Sequence, residues 1–199
     1  MKFLLSFSLF LVSFAPVIAN SDCIYDYDPS ATTLEWTAFK FTEKTGVKGS
    51  FDTVRVTGTT PSKETRQVLP KLGFSIDPNQ INSGVPDRDE KIKSYFFNTK
   101  QNKSPITGKF FTVSDGISGT AILNLKFNGK EANFPVKFNW KEESVTVTGT
   151  IDVLELGLGS GLQKLNEACL ELHRGSDGKS KLWPTVDVKI ETKLKKTCK

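Results

Sequence analysis

Ser118–Val153 reads SGTAILNLKFNGKEANFPVKFNWKEESVTVTGTIDV, and its pattern is that of three strands joined by two tight turns. Apolar and polar residues alternate along Ser118–Phe127, the period of a strand with one buried face. Asn128-Gly129 supplies the two residues that best tolerate the positive φ angles of a two-residue hairpin. Ala132–Trp140 reads as the next strand and Glu142-Glu143 as the next turn. Ser144–Val153 follows, in which Val145, Val147 and Thr148 have high strand propensity.

The same grammar extends outward in both directions. Upstream, Thr33–Ala38 alternates, with Leu34, Trp36 and Ala38 on one face. Lys48–Val56 reads as one strand in which Gly49 marks a bulge or a close approach. Ser62–Pro70 predicts a short helix, and Leu72–Ile76 and Pro105–Val113 predict strands. The segment between these two, Ile76–Phe97, is turn-rich up to Arg88-Asp89 and closes on a Phe pair. Downstream, Leu162, Leu165, Cys169 and Leu172 recur at helical spacing, which predicts one amphipathic helix ended by Arg174-Gly175. Val186–Leu194 predicts the last strand. Eight to nine regularly spaced strands, with no internal repeat or boundary, predict a single all-β antiparallel sandwich or barrel.

The N-terminus has the marks of a targeting segment: Lys2, an apolar run over Phe3–Phe14, and Val17-Ile18-Ala19 as a cleavage site. That run is shorter than the roughly 20 residues a spanning helix needs. Residues 1–19 are therefore expected to be a cleaved signal peptide. Residues 20–199 are expected to form one periplasmic or secreted domain with no transmembrane segment. Without the signal the chain has 26 basic and 22 acidic residues, a mild excess that is spread along the sequence. The one basic cluster, Lys193, Lys195, Lys196 and Lys199, reads as a solvated strand end, with an anionic membrane surface or nucleic acid as the weaker alternative; no nucleic-acid partner is expected.

Export places the three cysteines in a compartment that permits disulfides. If the first and last strands pair antiparallel, Cys23 and Cys198 fall side by side, which makes Cys23–Cys198 the preferred bridge; Cys169–Cys198 remains open. Cys169 then reads as a small buried hydrophobe on the predicted helix.

Catalytic patterns are weak. His173 is the single histidine, no G-x-S-x-G elbow exists, and neither C-x-x-C nor H-x-H spacing occurs. Gly157-Leu158-Gly159-Ser160-Gly161 follows a β meander and lacks the lysine of a phosphate loop. The expectation is a non-enzymatic protein without cofactor or metal. The eleven Phe, three Trp and three Tyr that follow the signal segment instead suit an apolar pocket or a filled core.

Three motifs together carry a family resemblance: Leu34-Glu35-Trp36 with Val47-Lys48-Gly49-Ser50-Phe51, the segment Ile76–Phe97, and Gly119–Phe138 with its turn at Asn128-Gly129-Lys130. They resemble the YceI-like family of bacterial secreted lipid-binding proteins. The chain departs from the family where Glu90-Lys91-Ile92 stands in place of a frequent His-Leu. The resemblance implies an extended eight-stranded antiparallel lipocalin-like β-barrel with one helix near the C-terminal end. It implies a long-chain lipid partner: a polyisoprenoid, an isoprenoid quinone, or a fatty acid or amide. Trp36, Phe51, Phe74, Ile76, Phe96, Phe97, Phe110, Phe127, Phe134 and Phe138 are then the candidate cavity lining. Arg88-Asp89 reads either as an ion pair or turn lock, or with Arg88, assisted by Lys91, as the candidate contact for the head group. The alternative is a filled barrel that acts as an interaction or adhesion module. Homodimerisation is left open.

Overall fold

The computed structural model describes residues 22–69, 72–112, 114 and 116–199. The signal peptide expected over 1–19 lies outside the described residues. Along the chain come β1 (Cys23–Asp26), β2 (Thr32–Lys40), β3 (Thr45–Phe51), β4 (Val54–Thr57), β5 (Gly73–Ile76) and β6 (Ile81–Asn82). Then follow α1 (Pro86–Lys91), β7 (Ile106–Thr112), β8 (Ser118–Phe127), β9 (Lys130–Lys141), β10 (Ser144–Asp152), α2 (Gly159–Ala168), β11 (Leu182–Lys193) and β12 (Lys195–Cys198).

Ten strands form one antiparallel sheet in the order β4-β5-β7-β8-β9-β10-β11-β2-β3-β6. The long hairpins at its centre follow from their turns. Asn128 and Gly129 both have positive φ, 51° and 74°, which matches the twist of a two-residue hairpin and pairs Phe127 with Lys130. Alternation then turns Ala121, Leu123, Leu125 and Phe127 inward on β8, with Phe134 and Val136 beside them on β9.

Lys48–Val56 is two strands rather than one. Phe51 ends β3 near one edge of the sheet, and Val54 begins β4, which is the other edge. Two residues, Asp52 and Thr53, connect these strands, so the sheet must curl back on itself. The result is a curled half-barrel of ten strands with one main helix, in place of a closed eight-stranded barrel. The class matches the expectation; the strand count and closure do not. The seam is crossed by the chain itself and not by a β4–β6 hydrogen-bond ladder.

β1 and β12 form a separate antiparallel ribbon with Cys23 opposite Cys198, and the two are joined by a disulfide. The expected pairing is thus present, although it tethers a side ribbon instead of closing a barrel. Cys169 is buried and free, as expected.

Two glycines let aromatic rings lie flat across the strands. A Cβ at Gly49 would overlap the Trp36 indole opposite it, and one at Gly108 would overlap the Phe74 ring.

The helical segments depart most from expectation. Arg88 and Asp89 lie in α1, not in a turn. Pro86 opens it and Asp87 and Asp89 occupy its first turn, both common at helix starts. The helix widens into a π-helical stretch, Ile92–Phe97, which Asn98 ends in the left-handed region. α2 begins and stops earlier than the apolar spacing suggested, and a 3-10 turn over Glu171–His173 follows it. Leu170 and Leu172 are therefore left exposed. Gly161 permits close packing of α2 on the π-helical stretch, since a Cβ there would overlap the Phe96 carbonyl. The short helix expected over Ser62–Pro70 is only a 3-10 turn at Thr65–Gln67. No helix among the described residues is long and apolar enough to cross a membrane.

Candidate functional site: a two-chambered apolar channel

The inward faces of the curled sheet enclose a channel with two chambers. One is wide, about 890 Å³, and the other narrow, about 190 Å³. Leu34, Phe51, Phe74 and Ile190 line both and form the neck between them. Leu34 and Ile190 are direct cross-strand partners on β2 and β11, so register alone brings them together.

The wide chamber is walled by strands. Val54, Val56, Phe110, Phe138 and Val147 supply its apolar surface. Polar side chains complete its lining: Asp52, Glu64, Arg66 and Gln67 are exposed and form a polar rim, with Thr32 partly exposed and Thr192 buried. The Thr32 and Thr192 hydroxyls lie 2.6 Å apart, and Thr32 also donates to the Asp28 carbonyl at 2.9 Å. Asp52 accepts a 2.7 Å hydrogen bond from the Asn82 amide. Arg66 is the one cation lining this chamber among the described residues. It arrives on the 3-10 turn after Ser62, which bridges to Tyr25 of β1. The wide chamber thus opens beside the disulfide-bonded ribbon.

The narrow chamber is lined wholly by apolar side chains. β2 and β5 contribute Trp36 and Ile76. The π-helical stretch contributes Phe96 and Phe97, and α2 contributes Leu162 and Leu165. The single indole donor of Trp36 is satisfied by the Ser50 carbonyl at 3.0 Å, so no unpaired polar atom of this ring faces the chamber. Phe96 and Phe97 meet edge to face, with ring centroids 4.8 Å apart.

Of the lining expected from sequence, Trp36, Ile76, Phe96 and Phe97 face the narrow chamber, Phe110 and Phe138 the wide one, and Phe51 and Phe74 the neck. Phe127 and Phe134 line neither. Phe127 is 1% exposed and packs edge-on against Phe97, with centroids 5.9 Å apart. Arg88 lines neither chamber. Its guanidinium donates from Nε to the Ser83 hydroxyl and from Nη2 to the Ser83 carbonyl, both at 2.8 Å. The buried Asp89 carboxylate accepts the Ser83 N–H at 2.8 Å, so both side chains fasten the turn that enters α1. Lys91 also lies away from both chambers, near enough to His173 to disfavour its protonation.

Several channel residues escaped the sequence reading. Leu34 and Ile190 had a usable signal, since each lies on an alternating inward face. The rim residues Glu64, Arg66 and Gln67 had none, because tertiary packing brings their loop to the mouth.

His173 is the sole imidazole. Its Nδ1 lies 3.1 Å from the Asn166 side-chain oxygen, which also accepts from the Ser180 hydroxyl at 3.0 Å. Burial, then the charges of Lys40 and Lys91, push its pKa down to about 4. Its recorded side-chain contact is to an amide, with no carboxylate to orient it as a general base. Among the described residues no three His, Cys, Asp or Glu side chains group as metal ligands.

Solved structures share this architecture at low sequence identity. A polyisoprenoid-binding domain from Saccharophagus degradans, implicated in plant cell wall breakdown, superposes with a TM-score of 0.61 at 16% identity, covering 88% of this chain and 99% of that one. Burkholderia cenocepacia BcnA gives 0.58 at 13% identity, covering 86% and 99%. A mutant Campylobacter jejuni YceI protein with a monobromobimane guest gives 0.51 at 14% identity, covering 80% and 89%. No curated protein sequence matches the chain. A family model for the YceI-like domain matches residues 25–194, nearly all of the described sequence, and the chain belongs to the YceI-like family.

Proposed function

We propose that this protein binds a long-chain amphiphile, without catalysis, and sequesters or carries it in the periplasm or outside the cell. The observation that supports the reading is the channel itself. A narrow, wholly apolar chamber continues through an apolar neck into a wider chamber with a polar rim. That sequence of environments suits a hydrocarbon tail followed by a polar head.

The energetics agree. Burial of a hydrocarbon chain contributes about 0.8 kcal/mol per methylene. Ten buried methylenes give about 8 kcal/mol, which offsets much of an association cost of roughly 4–15 kcal/mol. Binding therefore needs no covalent or metal-assisted step. The Saccharophagus degradans relative is a polyisoprenoid-binding domain, and a polyisoprenoid, an isoprenoid quinone, or a fatty acid or amide is the ligand class favoured here. The Cys23–Cys198 disulfide supports export. The volume of the wide chamber counts against a filled barrel that acts only as an adhesion module.

Native mass spectrometry of protein purified from the periplasm, followed by organic extraction, tests this. A stoichiometric long-chain species is expected. A clean ligand-free mass, with no uptake of prenyl or acyl lipids on incubation, overturns the reading and favours the interaction module.

A further inference from the structure

Of the residues lining the narrow chamber, Phe39, Leu162, Leu165, Leu182 and Trp183 are partly exposed, which places its opening among them. Around this opening two segments are laced into one collar: the β2–β3 loop at 41–44 and the stretch after α2, at 170–183. The Phe41 N–H donates to the Lys181 carbonyl at 2.9 Å, and the Trp183 indole donates to the Phe41 carbonyl at 2.7 Å. Thr42 donates to Asp177 at 2.7 Å, Ser176 to Glu43 at 2.8 Å, and the Lys40 ammonium to the Leu172 carbonyl at 3.1 Å. Phe41 and Lys44 are both held in the left-handed region, at φ 63° and 60°, a conformation that side chains of this bulk rarely adopt. The loop is therefore fixed by its partners and not by local preference.

The collar presents lysines on aromatic faces. The Lys181 ammonium is 3.6 Å from the centre of the Trp183 ring. Lys44 lies 4.8 Å from the Phe39 ring and 5.3 Å from Trp183, and Lys40 lies 4.4 Å from Phe41. Beside them Leu170 and Leu172 are 45% and 59% exposed. Over residues 40–44 and 170–183 there are five cations (Lys40, Lys44, Arg174, Lys179 and Lys181) against three carboxylates (Glu43, Glu171 and Asp177). Each carboxylate has a partner: Ser176 for Glu43, Arg174 for Glu171 at 2.8 Å, and Thr42 for Asp177.

Aromatic rings, lysines and exposed leucines around an apolar opening match the chemistry of a bilayer interface. There rings and lysine stems sit at head-group depth while ammonium groups meet lipid phosphates. The wide chamber, with its threonines, Gln67, and one cation (Arg66) against two carboxylates (Asp52 and Glu64), matches water better than an anionic surface. We propose that the collar docks this protein on an anionic phospholipid surface, with the narrow chamber facing the bilayer. A tail then passes between membrane and channel without crossing water. The transfer rests on the lipid-binding reading; the docking does not. The C-terminal lysines are a poorer candidate, since Lys196 is paired with Glu143 and Lys195 lies across the ribbon from Asp26.

The test is flotation with vesicles of phosphatidylglycerol and phosphatidylcholine, compared with phosphatidylcholine alone. The protein as isolated from the periplasm is used, with its N-terminus and the lipid content of each variant measured by mass. The wild type is expected to float with the anionic vesicles and to detach in high salt. Lys44→Glu/Lys181→Glu is expected to weaken flotation by about tenfold or more. Leu172→Asp is expected to weaken it with the fold intact by circular dichroism, and Lys126→Glu, on a sheet strand, to leave it unchanged. Equal flotation of wild type and collar variants overturns the proposal. So does loss of flotation only in Lys195→Glu/Lys199→Glu, or a dimer broken by Leu172→Asp in a protein that never floats. Protein that carries lipid but does not float removes the docking alone. Lipid-free protein that floats removes the carrier reading and leaves the docking.

Discussion

The wide chamber is walled by strands and also lined by Thr32, Glu64, Arg66 and Thr192, whereas the narrow chamber is covered on one side by α2 and the π-helical stretch and meets only apolar side chains. One curled sheet builds both, and what differs is what covers each end. At the wide end the loop that bridges to the β1–β12 ribbon brings Glu64, Arg66 and Gln67. At the narrow end it is two helical turns packed through Gly161 and Phe96, which bring Leu and Phe. The charges at the wide end thus come from a segment outside the sheet, while the hydroxyls of Thr32 and Thr192 come from the ends of sheet strands β2 and β11.

The sharpest way to break this contrast is to place the same charge in both chambers. Ile76 is 4% exposed and faces the narrow chamber, while Val147 is partly exposed and faces the wide one. An aspartate at position 76 has no polar partner in the lining and no polar rim beside it. Ile76→Asp is expected to cost about 4 kcal/mol in urea denaturation of the delipidated protein. Val147→Asp is expected to cost about 1–2 kcal/mol, because its chamber opens on a polar rim. Equal costs would show that the two chambers do not differ in polarity.

The same contrast explains which parts of the molecule were legible in the sequence. The central strands could be read because alternation and turn chemistry are local. Asn128-Gly129 can do little but turn, and Ala121 to Phe127 has only one face to bury. The ends of the channel could not be read in this way. Phe96 and Phe97 follow Arg88-Asp89 in a segment rich in turn residues, and a π-helical stretch has no periodic signature to reveal it. The helical start signals at Pro86, Asp87 and Asp89 were present but were outweighed by the preceding turns. Arg88 resembled a head-group contact because a guanidinium fits phosphate well. Its partner turns out to be Ser83, five residues away and invisible to any pattern rule. Arg66 lies on the rim because the bridge between Tyr25 and Ser62 carries its loop there. Sequence thus revealed the central strands and favoured the Cys23–Cys198 bridge, and left the side ribbon and the closure of each end to tertiary contacts.

Reduction sharpens the comparison at the wide end. The disulfide closes a sequence separation of 175 residues, and Tyr27, Pro29 and Thr32, just beyond β1, line the wide chamber. Cys23→Ser/Cys198→Ser is expected to lower global stability by about 2–4 kcal/mol, chiefly by releasing the unfolded chain. Hydrogen exchange should rise first over residues 23–32 and 195–199, with α2 still protected. A uniform rise along the chain would mean that the ribbon does not organise the wide rim in particular.

Acid acts at the other end. His173 is half-buried, hydrogen-bonded to Asn166, and faced by Lys40 and Lys91, and its pKa lies near 4, below the ordinary 6.5. The folded protein therefore binds this proton less readily than the unfolded chain does. Stability contributed by the neutral ring is fully present above about pH 6.5. It is lost as the pH falls from there toward 4. Because the ring is only half-buried, the slope is expected to stay below about 1.4 kcal/mol per pH unit. His173→Gln keeps an amide partner for Asn166 and removes the titration. Its stability should fall less than that of the wild type between pH 6.5 and 4.5, with the carboxylates titrating alike in both. Parallel curves for the two proteins would remove His173 as the acid-sensitive point. A smaller loss in the variant, with exchange in the wild type rising first over residues 169–182, would show that acid loosens the helical end of the channel before the ribbon end.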